Sequence, residues 1–403
     1  MTSTASTSTA STSTAFPAPG DGTATPPGAR GEGPRGGPVR RVLRHGSVVV
    51  RYEDPISGAP GVQLGVDDRW AVRLPGLTPH ETRWLQLLAR RADADPWDAA
   101  GTLGLDPGRA RRLWSALDAA GALVPDDAPH PDTITAPGRG AADARALGQV
   151  QADRGGGAVL ARRAGRRVGV VGLGRQGLAI AVVLASAGVG TLVLADPGVV
   201  QLSDVGLGGY RLRDVGTPRE AAARRVVTDV AAVRTPARLG ADGLDAAVVV
   251  TSWVSDPHGA TRLMNDGVPH LSVVVGEAGV SIGPTVRPGS TPCLGCVELA
   301  RADRDEGWPA VAPRLRERAR LEATDESSTA AVAAGIAAAQ VLTLLDGDAT
   351  WTSGAVVDVL LPGAVPRTRD VAPHPACGCG AFAVVEERRA RAAGAVVTAA
   401  SGG

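Results

Sequence analysis

A chain of 403 residues is long enough for two or three folded domains. Its 42 basic and 41 acidic residues leave a formal charge of +1, which excludes broad electrostatic attraction to nucleic acid or to an anionic membrane. Every one of the 42 basic residues is arginine, so neither a Schiff base nor a lysine clamp on phosphate is available to it.

Residues 1–38 carry TSTAS repeats followed by Gly, Pro and Ala. That composition buries too little surface to offset ordering entropy, and a disordered low-complexity tail is expected. No basic segment leading into an apolar core opens the chain, so no signal peptide is read and a cytoplasmic location is expected.

A small domain is expected over 39–125. Ser47–Tyr52, Val62–Val66 and Ala71–Leu74 read as strands, the last two joined by a turn at Asp67-Asp68-Arg69. Three helices follow: Thr78-Pro79 with Glu81 forms a capping box, Asp95-Pro96 opens the second, and Asp106-Pro107 the third. Trp84, Leu87 and Leu88 line one face of the first helix; Ala110, Leu113, Trp114 and Leu117 line the third, and Gly121–Pro125 leaves extended. Strands plus three short helices resemble a winged helix, in particular its peptide-binding variant, the RiPP recognition element. That resemblance implies an extended peptide added to an edge strand, with its side chains against the third helix. Arg109, Arg111 and Arg112 on that helix keep a DNA-binding winged helix open, and a domain that only packs remains a further reading. Residues 126–165 read as linker, with a short helix at Ala141–Val150 and order resuming near Arg162.

From Arg167 to Asp196 the chain reads as strand, glycine turn, helix and strand. Val168, Val170 and Val171 lead into Gly172, Gly174 and Gly177, a G-x-G-x-x-G turn, and Leu178–Ala187 continues as an apolar helix. Thr191–Ala195 is a second buried strand ending at Asp196. The turn leaves helix N–H groups facing a phosphate, and Asp196 is placed to accept a ribose hydroxyl. The run is also apolar enough to be read as a membrane helix, but Arg175, Gln176 and the glycines interrupt it. Gly216-Thr-Pro-Arg219 enters another helix, Ala246–Val250 and His270–Val275 are buried strands, and Ser281–Arg287 is strand or turn. Thr329–Leu345 is an alanine-rich helix too short to favour a span, and Ala355–Leu361 is a late strand. The expected class is α/β: a Rossmann-like domain over 166–385 with a mostly parallel sheet, preceded by the small winged-helix-like α+β domain and followed by a flexible tail, 386–403.

Cys293-Leu-Gly-Cys296 and Cys377-Gly-Cys379 contain all four cysteines of the chain. Two close pairs with none left over point to a structural tetrahedral Zn2+ without an open coordination position, hence without catalysis at the metal. Four free buried thiols, or a redox-active C-x-x-C, are the other readings.

The glycine turn, the strand-end aspartate, the C-x-x-C, the alanine-rich helix and the second cysteine pair together resemble the ThiF/MoeB family of adenylating, ubiquitin-activator-like enzymes, over about Arg166 to Ala383. The resemblance implies an ATP site that activates a carboxyl terminus as an acyl-adenylate, usually in a homodimer. By that match Gly172, Gly174 and Gly177 are the nucleotide loop, Asp196 the ribose acid and Arg219 the phosphate cation. Four positions depart from the pattern: Asp204 stands at the family's phosphate-gripping Asn, Leu207 at its Arg, Arg219 at its phosphate lysine, charged but of different shape, and Ser252 at the aspartate that holds Mg2+. Arg211, Arg213 and Asp256 are nearby substitutes.

A narrower resemblance rests on Ile282–Cys296, Arg301–Asp305, Trp308-Pro309 and His374–Cys379. These look like the ThiF-like partner proteins of azoline-forming peptide pathways. It implies binding of a ribosomally made precursor's leader peptide, presentation to a separate YcaO-type cyclodehydratase, no catalytic residue in this chain, and ATP binding in doubt. The alternative is an active adenylyltransferase using Asp196 and Arg219. A dinucleotide-dependent oxidoreductase explains the glycine turn but not the cysteines.

Overall fold

The computed structural model describes residues 40–44, 47–67, 71–90, 94–125, 140–150, 155–237, 243–318 and 325–387. The expected disordered segment 1–38 and the tail from 388 onward lie outside them.

The N-terminal part contains β1 (Arg41–Leu43), β2 (Val49–Glu53), β3 (Pro60–Leu64), β4 (Val72–Pro75), α1 (Pro79–Arg90), α2 (Pro96–Thr102), α3 (Pro107–Ala119) and β5 (Leu123–Pro125). Each helix starts where local chemistry dictates. The Thr78 N–H donates to Glu81 Oε2 at 2.7 Å, and the Glu81 N–H donates back to Thr78 Oγ1 at 3.2 Å. Asp95 accepts from the N–H groups of Trp97 and Asp98, and Asp106 from that of Arg109. Strands β2, β3 and β4 form an antiparallel sheet, while β1 pairs with β5. Their shared core includes Val62, Leu64, Trp84, Leu85 and Leu117. Leu85, not Leu87, completes the buried stripe of α1 with Trp84 and Leu88, because residues one and four apart share a stripe where it faces a thick core.

Two helices lie within the stretch read as linker: α4 (Ala141–Val150), at the bounds expected, and α5 (Gly155–Ala164). Three consecutive glycines hide α5 from propensity. Gly156 is there for contact, since a Cβ on it would lie 1.7 Å from the Ala144 carbonyl oxygen of α4.

The remaining elements are β6 (Arg167–Val171), α6 (Arg175–Ser186), β7 (Thr191–Ala195), α7 (Arg219–Val230), β8 (Ala246–Ser252), α8 (Thr261–Asn265), β9 (His270–Val275), β10 (Gly279–Val286), α9 (Leu294–Ala302), α10 (Trp308–Arg318), α11 (Ser327–Asp346), β11 (Ala355–Leu360) and β12 (Val365–Asp370). They build one seven-stranded sheet in the order β12-β11-β10-β9-β8-β6-β7. Around the glycine turn the pairings β7–β6, β6–β8 and β8–β9 are parallel; β10, β11 and β12 extend the sheet antiparallel. Helices α6 and α11 cover the sheet core, where Val168, Ile180, Leu271, Ile282 and the alanines of α11 are buried together. Helix α11 is long and apolar enough to cross a membrane, but its alanines let it lie close against α6 and β10. Strand β12 was not legible in the sequence: every residue of it is exposed, so no apolar alternation marks it. The chain leaves β6 towards β7 on one side and returns to β8 on the other. That reversal opens a crevice at the carboxyl ends of β6 and β8, where α/β folds bind ligands.

Candidate functional site

Backbone proximity explains two of the three turn glycines. Gly172 has φ +84°, and a Cβ on it would fall 2.4 Å from the Val250 carbonyl oxygen of β8. A Cβ on Gly177 would fall 1.8 Å from the Gly172 carbonyl oxygen, so helix and turn can close only on hydrogen. Gly174 is the N-cap of α6 and offers no side-chain cap to the helix's first turn. Asp196, just beyond β7, accepts from the N–H of Leu173 at 2.6 Å and of Gly198 at 2.7 Å, and so clasps the turn.

Arg219, the first residue of α7, reaches into the same crevice. Its Nε and Nη2 lie 2.9 and 2.8 Å from Asp204 Oδ2, and its Nη1 lies 3.4 Å from Asp196 Oδ2. Asp204 is buried in a one-turn 3-10 helix (Leu202–Asp204), also accepts the Gln201 N–H at 2.8 Å, and places Oδ1 3.4 Å from where a Gly174 Cβ would be. Burial alone would lower the Arg219 pKa; the charge of Asp204 and its hydrogen bond outweigh that and raise it, so the guanidinium stays ionised. Tyr210, which sequence reasoning missed, is fully buried beneath this pair, its hydroxyl 2.8 Å from the Leu173 carbonyl oxygen and 3.3 Å from that of Arg219. Burial, reinforced by Asp204, pushes its phenol well above the usual range.

Arg175, at the start of α6, is spent in the same way. Its Nε and Nη2 donate to the Ser203 carbonyl at 3.0 and 2.7 Å, and Nη1 to the Asp325 carbonyl at 3.1 Å. Of the residues considered as substitutes, the two arginines stand elsewhere and the aspartate holds a local turn. Arg211 and Arg213 line a separate cavity of about 340 Å3 between α6 and α7, and Asp256 accepts the Gly259 N–H at 3.0 Å. Ser252 ends β8, and after it Trp253 holds a left-handed backbone (φ +72°) and packs with Val254, Trp308 and Ala312 against α10.

The four cysteines converge. Cys293 is the N-cap of α9 and Cys296 lies in its first turn, while Cys377 and Cys379 arrive from the segment after β12. All four Sγ atoms lie within 4.8 Å of one another; Cys293 is 3.9 Å from Cys296 and 3.5 Å from Cys377, and Cys296 is 3.6 Å from Cys379. A tetrahedral metal with sulfur ligands at ~2.3 Å needs sulfurs about 3.8 Å apart, so this donor set can hold a metal ion. The hydrogen bond from Cys293 pulls the Cys296 thiol down, and the same bond pushes Cys293 up.

In the N-terminal sheet, β2 and β4 are the outer strands, each paired on one side among the described residues. Arg109 is not free for an external partner: its Nε donates to Glu81 Oε1 at 2.9 Å, and Nη2 lies 3.4 Å from the Gly76 carbonyl oxygen. Arg111 and Arg112 are exposed.

Residues 158–379 match the model of the ThiF family. The chain belongs to the ThiF family. Among solved structures, this ThiF-family fold is similar to E. coli MccB with AMPCPP and MccA, at TM-score 0.59 and 15% identity, covering 85% of this chain and 99% of that one. It is similar to E. coli MccB with ATP at TM-score 0.57 and 15% identity, over 84% of this chain and 99% of that one. PaaA follows at TM-score 0.56 and 15% identity, over 81% and 98%. No curated protein sequence matches the chain significantly.

Proposed function

We propose that this ThiF-family protein is a zinc-stabilised scaffold. It binds the leader of a ribosomally made precursor peptide through residues 39–125. It then presents that peptide to a separate YcaO-type cyclodehydratase forming thiazolines or oxazolines, without adenylating the peptide itself. The observation that carries the reading is the ion pairing of Arg219 with both Asp204 and Asp196 over the glycine turn. One guanidinium against two carboxylates gives these three side chains a net charge of −1 and no free cation among them. Adenylyl transfer instead needs cations that counter the charge of a triphosphate. The fold similarity to MccB, a protein crystallised with the peptide MccA, supports a peptide partner.

In this reading peptide capture is strand addition at the edge of the β2-β3-β4 sheet, because an unpaired ladder supplies main-chain hydrogen bonds to an extended segment. The cysteines would hold Zn2+, whose role is to fix the segment around Cys377 against α9; the ion supplies folding energy and no open position. A homodimer and a cytoplasmic location belong to the same proposal. The test is a fluorescence-anisotropy titration of labelled leader peptide against the full chain and a chain lacking 39–125. Loss of binding in the truncated protein is expected; undiminished binding refutes the assignment.

The intact glycine turn, together with the likeness to MccB seen with ATP, favours a second reading as an adenylyltransferase acting on a peptide or carrier-protein carboxylate. ATP–pyrophosphate exchange that disappears in Asp196→Ala would establish it.

A further inference from the structure

We propose, resting on the scaffold reading above, that Asp204 is a built-in anion that closes the crevice, and that removing its charge converts the same crevice into a site for inorganic pyrophosphate and nucleotide polyphosphates. An anion at this point of an α/β fold needs two things: a cation beside the glycine turn and space above it. Asp204 takes both. Oδ2 holds the Arg219 guanidinium through two N–H groups at 2.8 and 2.9 Å, and Oδ1 stands over Gly174, 3.4 Å from the position of a Cβ. Asp196 plays a different part. Its two oxygens accept the Leu173 and Gly198 N–H groups, so it holds the turn together and its contact with Arg219 is the longer one, at 3.4 Å.

The block is local and separable. Asp204 is itself buried but ends a one-turn segment that lies outside the sheet and begins at Leu202, which is 68% exposed. Its own anchor is the Gln201 N–H, which an asparagine oxygen accepts equally well. Asp204→Asn therefore deletes one unit of negative charge while keeping shape: an oxygen in the Oδ2 position still accepts from Gln201 and Arg219, but the guanidinium charge is no longer countered there. Tyr210, whose hydroxyl contacts the Arg219 and Leu173 carbonyls, keeps α7 and the turn in register whichever anion Arg219 faces.

Isothermal titration of pyrophosphate and of AMPPNP with Mg2+ into the full-length protein tests this, with Asp204→Asn, Asp204→Ser and the double variant Asp204→Asn/Arg219→Met alongside. Melting temperature and leader-peptide affinity are measured on each. Wild type is expected to bind neither probe at low millimolar concentration. Asp204→Asn and Asp204→Ser gain affinity by roughly tenfold or more, since a like charge a few ångströms from the ligand is gone. The double variant loses the gain, and leader affinity is the same throughout. The proposal is overturned if folded Asp204→Asn and Asp204→Ser proteins show no gain, if the gain survives Arg219→Met, or if wild type already binds as tightly. No gain with leader binding intact removes this proposal alone; absent leader binding in wild type removes the scaffold reading instead.

Discussion

The cysteine corner and the glycine crevice both look complete as motifs, and the structure separates them by what their groups have left to offer. At the corner, four sulfur atoms from two distant segments converge within 4.8 Å of one another. At the crevice, the steric frame is intact but Arg175 and Arg219 are already satisfied by Ser203, Asp325, Asp204 and Asp196. A metal site is defined by donors that meet. A phosphate site is defined by charge that remains after the protein has paired with itself.

The largest expected effect is at the corner. If the corner holds zinc as proposed, Cys296→Ser should lower zinc content from one per chain to none by elemental analysis and cost on the order of 5–10 kcal/mol of stability, because it frees the segment around Cys377 from α9. Unchanged metal content and melting temperature would break the contrast. Next is the frame of the crevice: Gly177→Ala forces a methyl to within 1.8 Å of a backbone oxygen. It should cost about 3–5 kcal/mol in chemical denaturation, and a neutral result would mean that the turn is not held as described.

A smaller loss is expected from Arg219→Met. Removing the cation leaves Asp204 and Asp196 facing each other, both nearly buried, whereas the arginine itself is 21% exposed. About 2 kcal/mol is expected, discounted for that exposure. Full stability in this variant would show that the pair does not organise the crevice.

The smallest effect lies away from both sites. His270 on β9 is fully buried, its Nδ1 is 3.0 Å from the Val268 carbonyl oxygen and its Nε2 has no hydrogen-bond partner among the described residues. Burial pushes its pKa below the ordinary value. The unfolded chain therefore binds the extra proton first, and stability falls as pH drops below about 6.5, by at most about 1.4 kcal/mol per pH unit, until the folded-state pKa is reached. Denaturation at pH 7.5 and 5.5 should show a smaller difference for His270→Gln than for wild type.

Much of this molecule was legible from short-range chemistry. The three helix starts at Thr78, Asp95 and Asp106 are set by side chains capping their own backbone within three residues, so local sequence is enough. The β6–α6–β7 unit was equally plain, because buried strands and an apolar helix leave long runs. Helix α5 and strand β12 were not: three glycines conceal the one, justified only by the Ala144 carbonyl across from it, and full exposure conceals the other. In the candidate site, Gly172, Gly177 and the four cysteines could be named in advance, whereas Tyr210 carried no motif and is found only by where its hydroxyl ends.

Sequence alone determined the three helix starts of the N-terminal part, the β6–α6–β7 unit, the glycine turn and the cysteine pairs, since these depend on neighbours a few residues apart. Only the tertiary structure decided that Asp204, fifteen residues from Arg219 along the chain, would hold that guanidinium, and that Cys377 and Cys379 would close on Cys293 and Cys296. Charge pairing and metal-donor convergence act through space, and a one-dimensional string carries residue types without the distances that give them their strength.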